Sequence, residues 1–151
     1  MNPYIQPFER HLAVAELSAL SGVGLSLDDA QGTNFEITTE TSGQTLASLL
    51  SYYEYVQDGA KGFVTSQVLR EATLYFARNG ISLQDIRKQF PAKGDVTMPN
   101  RRCLRYGTHG IHEYRGKFFP QLVRSLINIA QVPSSGIVAD PMCGSGTTLV
   151  E

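Results

Sequence analysis

The sequence predicts an α/β protein with a mostly helical N-terminal region over residues 1–90, a linker over 91–100, and the opening of a parallel-sheet domain from 101 to 151. Three observations predict it. Apolar residues recur at helical spacing through most of the first ninety positions. Residues 91–100 combine Pro, Gly, Lys, Asp and Asn in the manner of a connector. Residues 136–151 run from a short apolar stretch to an acidic residue, a Gly-x-Gly turn and Thr-Thr-Leu-Val-Glu, the pattern of a buried strand, a tight loop and the first turn of a helix.

At 151 residues the chain is of single-domain size and long enough to bury a core. Its apolar fraction of 42% and charged fraction of 18% are those of an ordinary soluble protein. No apolar run approaches the roughly 20 residues that cross a bilayer. The N-terminus lacks the basic and apolar regions of a signal peptide, so a cytoplasmic location is expected. That setting makes Cys103 and Cys143 free thiols. The charge is asymmetric: residues 1–100 hold 7 Lys/Arg against 11 Asp/Glu, and residues 101–151 hold 6 against 3. The C-terminal third is therefore the part suited to face a polyanion.

A first helix is expected over 8–20, with Phe8, Leu12, Ala15 and Ala19 on one face and Ser21-Gly22 as its stop. Residues 23–44 read as loop with a small strand around Phe35-Glu36-Ile37. A second helix over 45–56 aligns Leu46, Leu49, Leu50, Tyr53 and Val56 and ends at Asp58-Gly59. On it Tyr53 is core, with Tyr52 and Tyr55 at the margin rather than a platform for stacked bases. A helix over 66–78 buries Leu69, Ala72 and Phe76 and stops at Asn79-Gly80. Ser82-Leu83-Gln84-Asp85 has the form of a capping box and opens a short helix through Phe90. That helical pair is a packing hairpin rather than a DNA-reading helix-turn-helix, because its second member offers only Arg87 and Lys88 to phosphates.

Beyond the linker, residues 101–117 are basic, aromatic and glycine-rich without helical or strand period, the profile of a functional loop. Pro120 then opens an amphipathic helix bearing Leu122, Val123, Leu126, Ile127 and Ala130, and Val132-Pro133-Ser134-Ser135-Gly136 turns it into the apolar run.

In that final stretch Gly144 and Gly146 let the backbone approach a ligand closely, at the carboxyl end of the expected strand. No Lys follows Gly146, so the loop is not a Walker loop, and the third glycine of the dinucleotide fingerprint is missing. A nucleotide-like ligand is implied.

Asp140-Pro141-Met142-Cys143-Gly144-Ser145-Gly146-Thr147-Thr148 resembles the Asp-Pro-Phe-x-Gly-Ser-Gly-Thr-Thr loop of S-adenosylmethionine-dependent DNA amino-methyltransferases of the N4-cytosine and N6-adenine type. Met142 stands where Phe is usual and Ala139 where Leu is common, and both remain apolar. His112-Glu113-Tyr114-Arg115-Gly116-Lys117-Phe118-Phe119-Pro120-Gln121-Leu122 is similar to the His-x-Tyr-x-x-Lys-Phe-x-Pro-x-Leu segment that precedes that loop in a subset of the family. The resemblance covers about the last 45 residues. It implies a Rossmann-like methyltransferase domain, S-adenosyl-L-methionine as cofactor and DNA as partner. Cofactor contacts are implied for Asp140, Pro141, Met142, Cys143, Gly144, Ser145, Gly146, Thr147 and Thr148, and for His112, Tyr114, Lys117 and Phe118.

A cofactor bearing a carboxylate, an amine and a sulfonium needs a cation and an anion. Lys117 is the candidate cation. Asp140 is the candidate anion, with a turn-shaping role as its equal rival. His112 is read as an orienting partner. A zinc site assembled from Cys103, His109, His112 and Cys143 has no recognised spacing, so no metal is assigned.

The family's second motif, Asp/Asn/Ser-Pro-Pro-aromatic, which holds the target amino group and stacks on the flipped base, does not occur here. No catalytic residue is assigned, and the chain alone is expected to be inactive or nearly so. It reads as the N-terminal part of such an enzyme, either a truncated or experimental fragment or a split subunit whose complementary chain brings the catalytic motif. An RNA methyltransferase fragment and a non-catalytic DNA-binding or assembly module are the alternatives.

Overall fold

A computed structural model describes residues 1–3, 5–78, 106–110 and 117–151. The expected helix over 82–90, the helical-hairpin reading built on it, the linker and most of the basic segment lie outside the described residues. Within them, α1 (Pro7–Ser21), α2 (Gly43–Leu49), β1 (Tyr55–Asp58), β2 (Lys61–Val64) and α3 (Ser66–Arg78) form the N-terminal part. A 3-10 turn at Gly107–Gly110, α4 (Pro120–Ile129) and the single turn α5 (Thr147–Val150) follow. No described helix is long and apolar enough to cross a membrane.

Helix α1 starts where the Gln6 N–H donates to Glu9 Oε2 at 2.8 Å, and it ends at Gly22, whose φ of 71° is left-handed. Its extent agrees with the periodicity, but its facing does not. Phe8 is 57% exposed and Ala15 is exposed, while Glu9, Ala13, Val14, Glu16 and Leu17 are buried. Two glutamates on the inner face hid its true period. The core gathers Ala13 and Leu17 with Leu46, Leu50, Tyr52 and Tyr53, and Tyr53 Oη donates to the Ala13 carbonyl at 2.9 Å. Tyr52 is core rather than margin.

The expected helix over 45–56 is corrected. Helix α2 stops at Leu49, and the chain turns into a hairpin in which Asp58 faces Lys61 across Gly59-Ala60. Gly59 takes φ of 55°, as a tight hairpin requires. Residues 35–37 form no strand, although Phe35 and Ile37 pack against the core. The hairpin is tied to α2 through Asp58 Oδ2, which accepts from the Gly43 N–H at 2.9 Å. A Cβ on Gly43 would lie 2.5 Å from Asp58 Cβ. Gly43→Ala is therefore expected to cost about 1–3 kcal/mol through overpacking, read as a lowered denaturant midpoint.

Helix α3 spans its expected residues, and Val68 and Ala72 are buried beside Gln67 and Glu71, with Leu69 half-buried. Phe76 lies among side chains outside the description.

Helix α4 is reversed relative to expectation. Gln121, Arg124 and Ser125 point inward, while Leu126 is 50% exposed and Ala130 is exposed; of the expected apolar face only Val123 is buried. The cause is a demand for donors beneath it. Gln121 Nε2 donates to Glu71 Oε1 at 2.5 Å, and Asn128 Nδ2 donates to Glu16 Oε1 at 2.7 Å. Arg124 Nη2 donates to the Ser48 and Leu49 carbonyls at 3.3 Å each. Buried acceptors without partners would cost more than the apolar contacts forgone.

Glu16 also accepts from the Ser51 N–H and Oγ, the latter at 2.7 Å. Burial nonetheless raises its carboxyl above the usual carboxylate range, against the lowering influence of Asn128, Ser51 and Arg124. A raised folded-state value favours the protonated form, so the contribution of Glu16 to stability is fullest in acid and is lost as pH rises through the folded value. The Tm of Glu16→Gln relative to wild type is therefore expected to be higher at pH 8 than at pH 5, in paired thermal melts.

The apolar run expected as a strand forms none, with Ile137 95% and Val138 44% exposed. No strand among the described residues lies beside it to complete a ladder. Among those residues the sheet is the β1–β2 hairpin alone, so the architecture is mixed helix and strand.

Candidate cofactor-binding site

The loop from Asp140 to Thr148 doubles back on itself. Asp140 Oδ1 accepts from the Met142 N–H at 3.0 Å, and Asp140 Oδ2 accepts from Thr148 Oγ1 at 2.6 Å. Between them the Gly146 N–H donates to the Cys143 carbonyl at 2.7 Å. Gly144 and Gly146 hold φ of 51° and 77°, in the left-handed region that disfavours any side chain. Gly146 caps α5, and Thr147, the first residue of that turn, is buried.

Asp140 thus performs the turn-shaping role, and each of its oxygens keeps acceptor capacity beyond the one bond described. Pro141, Met142, Cys143, Gly144 and Ser145 are exposed on the outer side of the loop. Of their backbone groups, the Met142 N–H and the Cys143 carbonyl are already engaged within the turn.

Beside the loop is an open cavity of about 360 Å³. Phe118, Leu122, Leu126 and Val138 line it, and Asp140, Pro141 and Thr148 close one side. The outward apolar face of α4 is its wall. A mostly apolar cleft of this size with a few convergent polar groups is suited to a small ligand. An apolar wall and a carboxylate at the rim fit S-adenosylmethionine, with Gly144 and Gly146 in the adjoining turn rather than on the cavity wall.

Lys117 is placed differently. Its Nζ donates to the His109 carbonyl at 3.0 Å, which directs the ammonium to the 3-10 turn. Phe118 reaches the cavity; His112 and Tyr114 lie outside the described residues. A larger cavity of about 900 Å³ lies against the hairpin, α2 and residues 34–41, remote in sequence from both motifs.

Periodicity did not find the group at the far end of the loop. Glu151, whose side chain is wholly buried, accepts from Arg70 Nη1 at 3.0 Å and from His109 Nε2 at 2.8 Å, with Arg124 Nε at 3.7 Å. The carboxylate can only accept, so the His109 Nε2 carries the proton. His109 also meets the Tyr106 ring edge-on at 5.7 Å between centroids. Burial raises the Tyr106 hydroxyl beyond the usual phenol range, the nearby Glu151 charge adding to it. A lone Glu after an apolar turn gives no local sign of these distant partners. Among the described residues no group of His, Cys, Asp and Glu could hold a metal ion.

Residues 112–151 match the UPF0020 family model, described as an RMKL-like methyltransferase domain. The chain is 51% identical over 43 residues to the Type II methyltransferase M.MjaII of Methanocaldococcus jannaschii, a stretch covering 28% of this chain and 8% of that relative. No solved structure matches. Both sequence matches bear out the resemblance carried by the two motifs.

Proposed function

We propose that this chain, methyltransferase-like over residues 112–151, carries the S-adenosylmethionine-binding opening of a Rossmann-like domain in a protein that methylates an exocyclic amino group of adenine or cytosine in DNA. The observation that carries the reading is the loop itself: left-handed Gly144 and Gly146 between the two ends of an Asp140–Thr148 hydrogen bond, against an apolar cavity. When bound, S-adenosylmethionine supplies the methyl group. The chain's own residues hold and orient it.

Asp140 keeps the loop closed and presents a negative rim to the amine and sulfonium. Gly144, Ser145 and Gly146 offer backbone at close range, with Pro141, Met142, Cys143, Thr147 and Thr148 completing the loop. Phe118 excludes water from the apolar side. His112 and Tyr114 are assigned to the same pocket by their place in the preceding motif, in which Lys117 is held at the 3-10 turn. The motif expected to hold the target base is absent from the sequence, so these residues account for cofactor binding and not for base recognition. The chain spans a small part of the relative it matches, and the complete activity belongs to this proposal.

The test is titration calorimetry with S-adenosylmethionine, followed by transfer of labelled methyl from it to duplex DNA by the complete protein that contains this chain. Saturable binding with label in adenine or cytosine amino groups is expected. Label in RNA alone would replace the substrate class, and no binding by the complete protein would refute the cofactor assignment.

A further inference from the structure

The turn α5 follows the glycine loop directly. It and the backbone of that loop are fastened at two places. One fastening is local, from Thr148 to Asp140. The other is Glu151, which follows the turn directly and whose buried carboxylate accepts from Arg70 on α3 and His109 on the 3-10 turn and pairs with the charge of Arg124 on α4. Arg70 and His109 both lie outside the methyltransferase-like residues 112–151.

We propose that the N-terminal helical region serves as a clamp on the cofactor loop, with Arg70 and His109 as positioning residues that act through Glu151. The geometry favours positioning over general stability. A buried ion cluster gains little over apolar packing in net stability, but its directional bonds admit one arrangement of the joined elements. Arg70 is 41% exposed at its side chain, so its removal leaves the core intact, whereas the Glu151 carboxylate it serves is fully enclosed. The 3-10 turn is held in place in turn: the His109 N–H donates to the Tyr106 carbonyl at 3.0 Å and its own carbonyl accepts Lys117. The motif lysine thus braces the clamp.

The consequence for cofactor affinity rests on the function proposed above, whereas the consequence for loop order does not. The experiment measures both on the complete protein that contains this chain. Amide hydrogen exchange of Arg70→Met and Glu151→Gln is expected to accelerate about tenfold at residues 144–148, the size of one charge-assisted hydrogen bond, with α1 unchanged. Arg70→Lys is expected to recover most of the protection. S-adenosylmethionine Kd in calorimetry is expected to rise by a similar factor of about ten. Unchanged exchange at 144–148 in both variants, or equal acceleration in α1 and α2, overturns the clamp. Accelerated loop exchange in a complete protein that binds no cofactor even as wild type upholds the clamp and refutes the cofactor reading instead.

Discussion

Asp140→Ala is expected to weaken S-adenosylmethionine binding about 100-fold, the sum of two lost hydrogen bonds to a charged acceptor. The substitution removes the acceptor for the Met142 N–H and for Thr148 Oγ1 together, so the loop loses its closure and its negative rim in one step. Asp140→Asn separates the two. It keeps one acceptor oxygen for loop closure and discards the charge, so a loss of about tenfold is expected if charge and shape contribute comparably. Calorimetry on the two variants beside wild type reads the division directly. Wild-type affinity in Asp140→Ala would remove Asp140 from the site.

Arg124→Met should cost about 3–5 kcal/mol of folding stability, because it breaks a buried charge constellation from one side. Its guanidinium serves the carbonyls of Ser48 and Leu49 at the end of α2 and stands 3.7 Å from Glu151. Methionine conserves much of the volume but takes that donor from the Ser48 carbonyl, while the Leu49 carbonyl keeps Asn128 Nδ2 at 3.0 Å. Urea denaturation checks the value, and a loss under about 1 kcal/mol would mean that water reaches the carbonyls in its place.

What the sequence made legible divides by range. Helix α3 is recoverable at Ser66–Arg78 because its apolar spacing and the following Asn79-Gly80 point the same way. The loop is legible because Asp140, Gly144, Gly146 and Thr148 act on one another within nine residues. The hairpin was obscured because Leu46, Leu49, Leu50, Tyr53 and Val56 fit a helix by spacing, although Asp58-Gly59 after Tyr55-Val56 carried the competing turn signal. The facing of α1 and α4 was not legible at all. It depends on Glu16 meeting Asn128 and Glu71 meeting Gln121, pairs far apart in the chain. The run at 137–139 has strand character, yet a ladder needs a second strand, and none is described beside it.

The inward polar face of α4 carries one further consequence. An apolar helix face slides or rolls against its neighbour at small cost, since one greasy contact resembles the next. Gln121, Arg124 and Asn128 instead meet Glu71, the end of α2 and Glu16 like the cuts of a key, and a rotation of one residue would leave carboxylates against leucine. The azimuth of α4 is thereby locked, and with it the direction in which Leu122 and Leu126 face the loop. The wall of the pocket is aimed by the chemistry on the opposite side of the same helix.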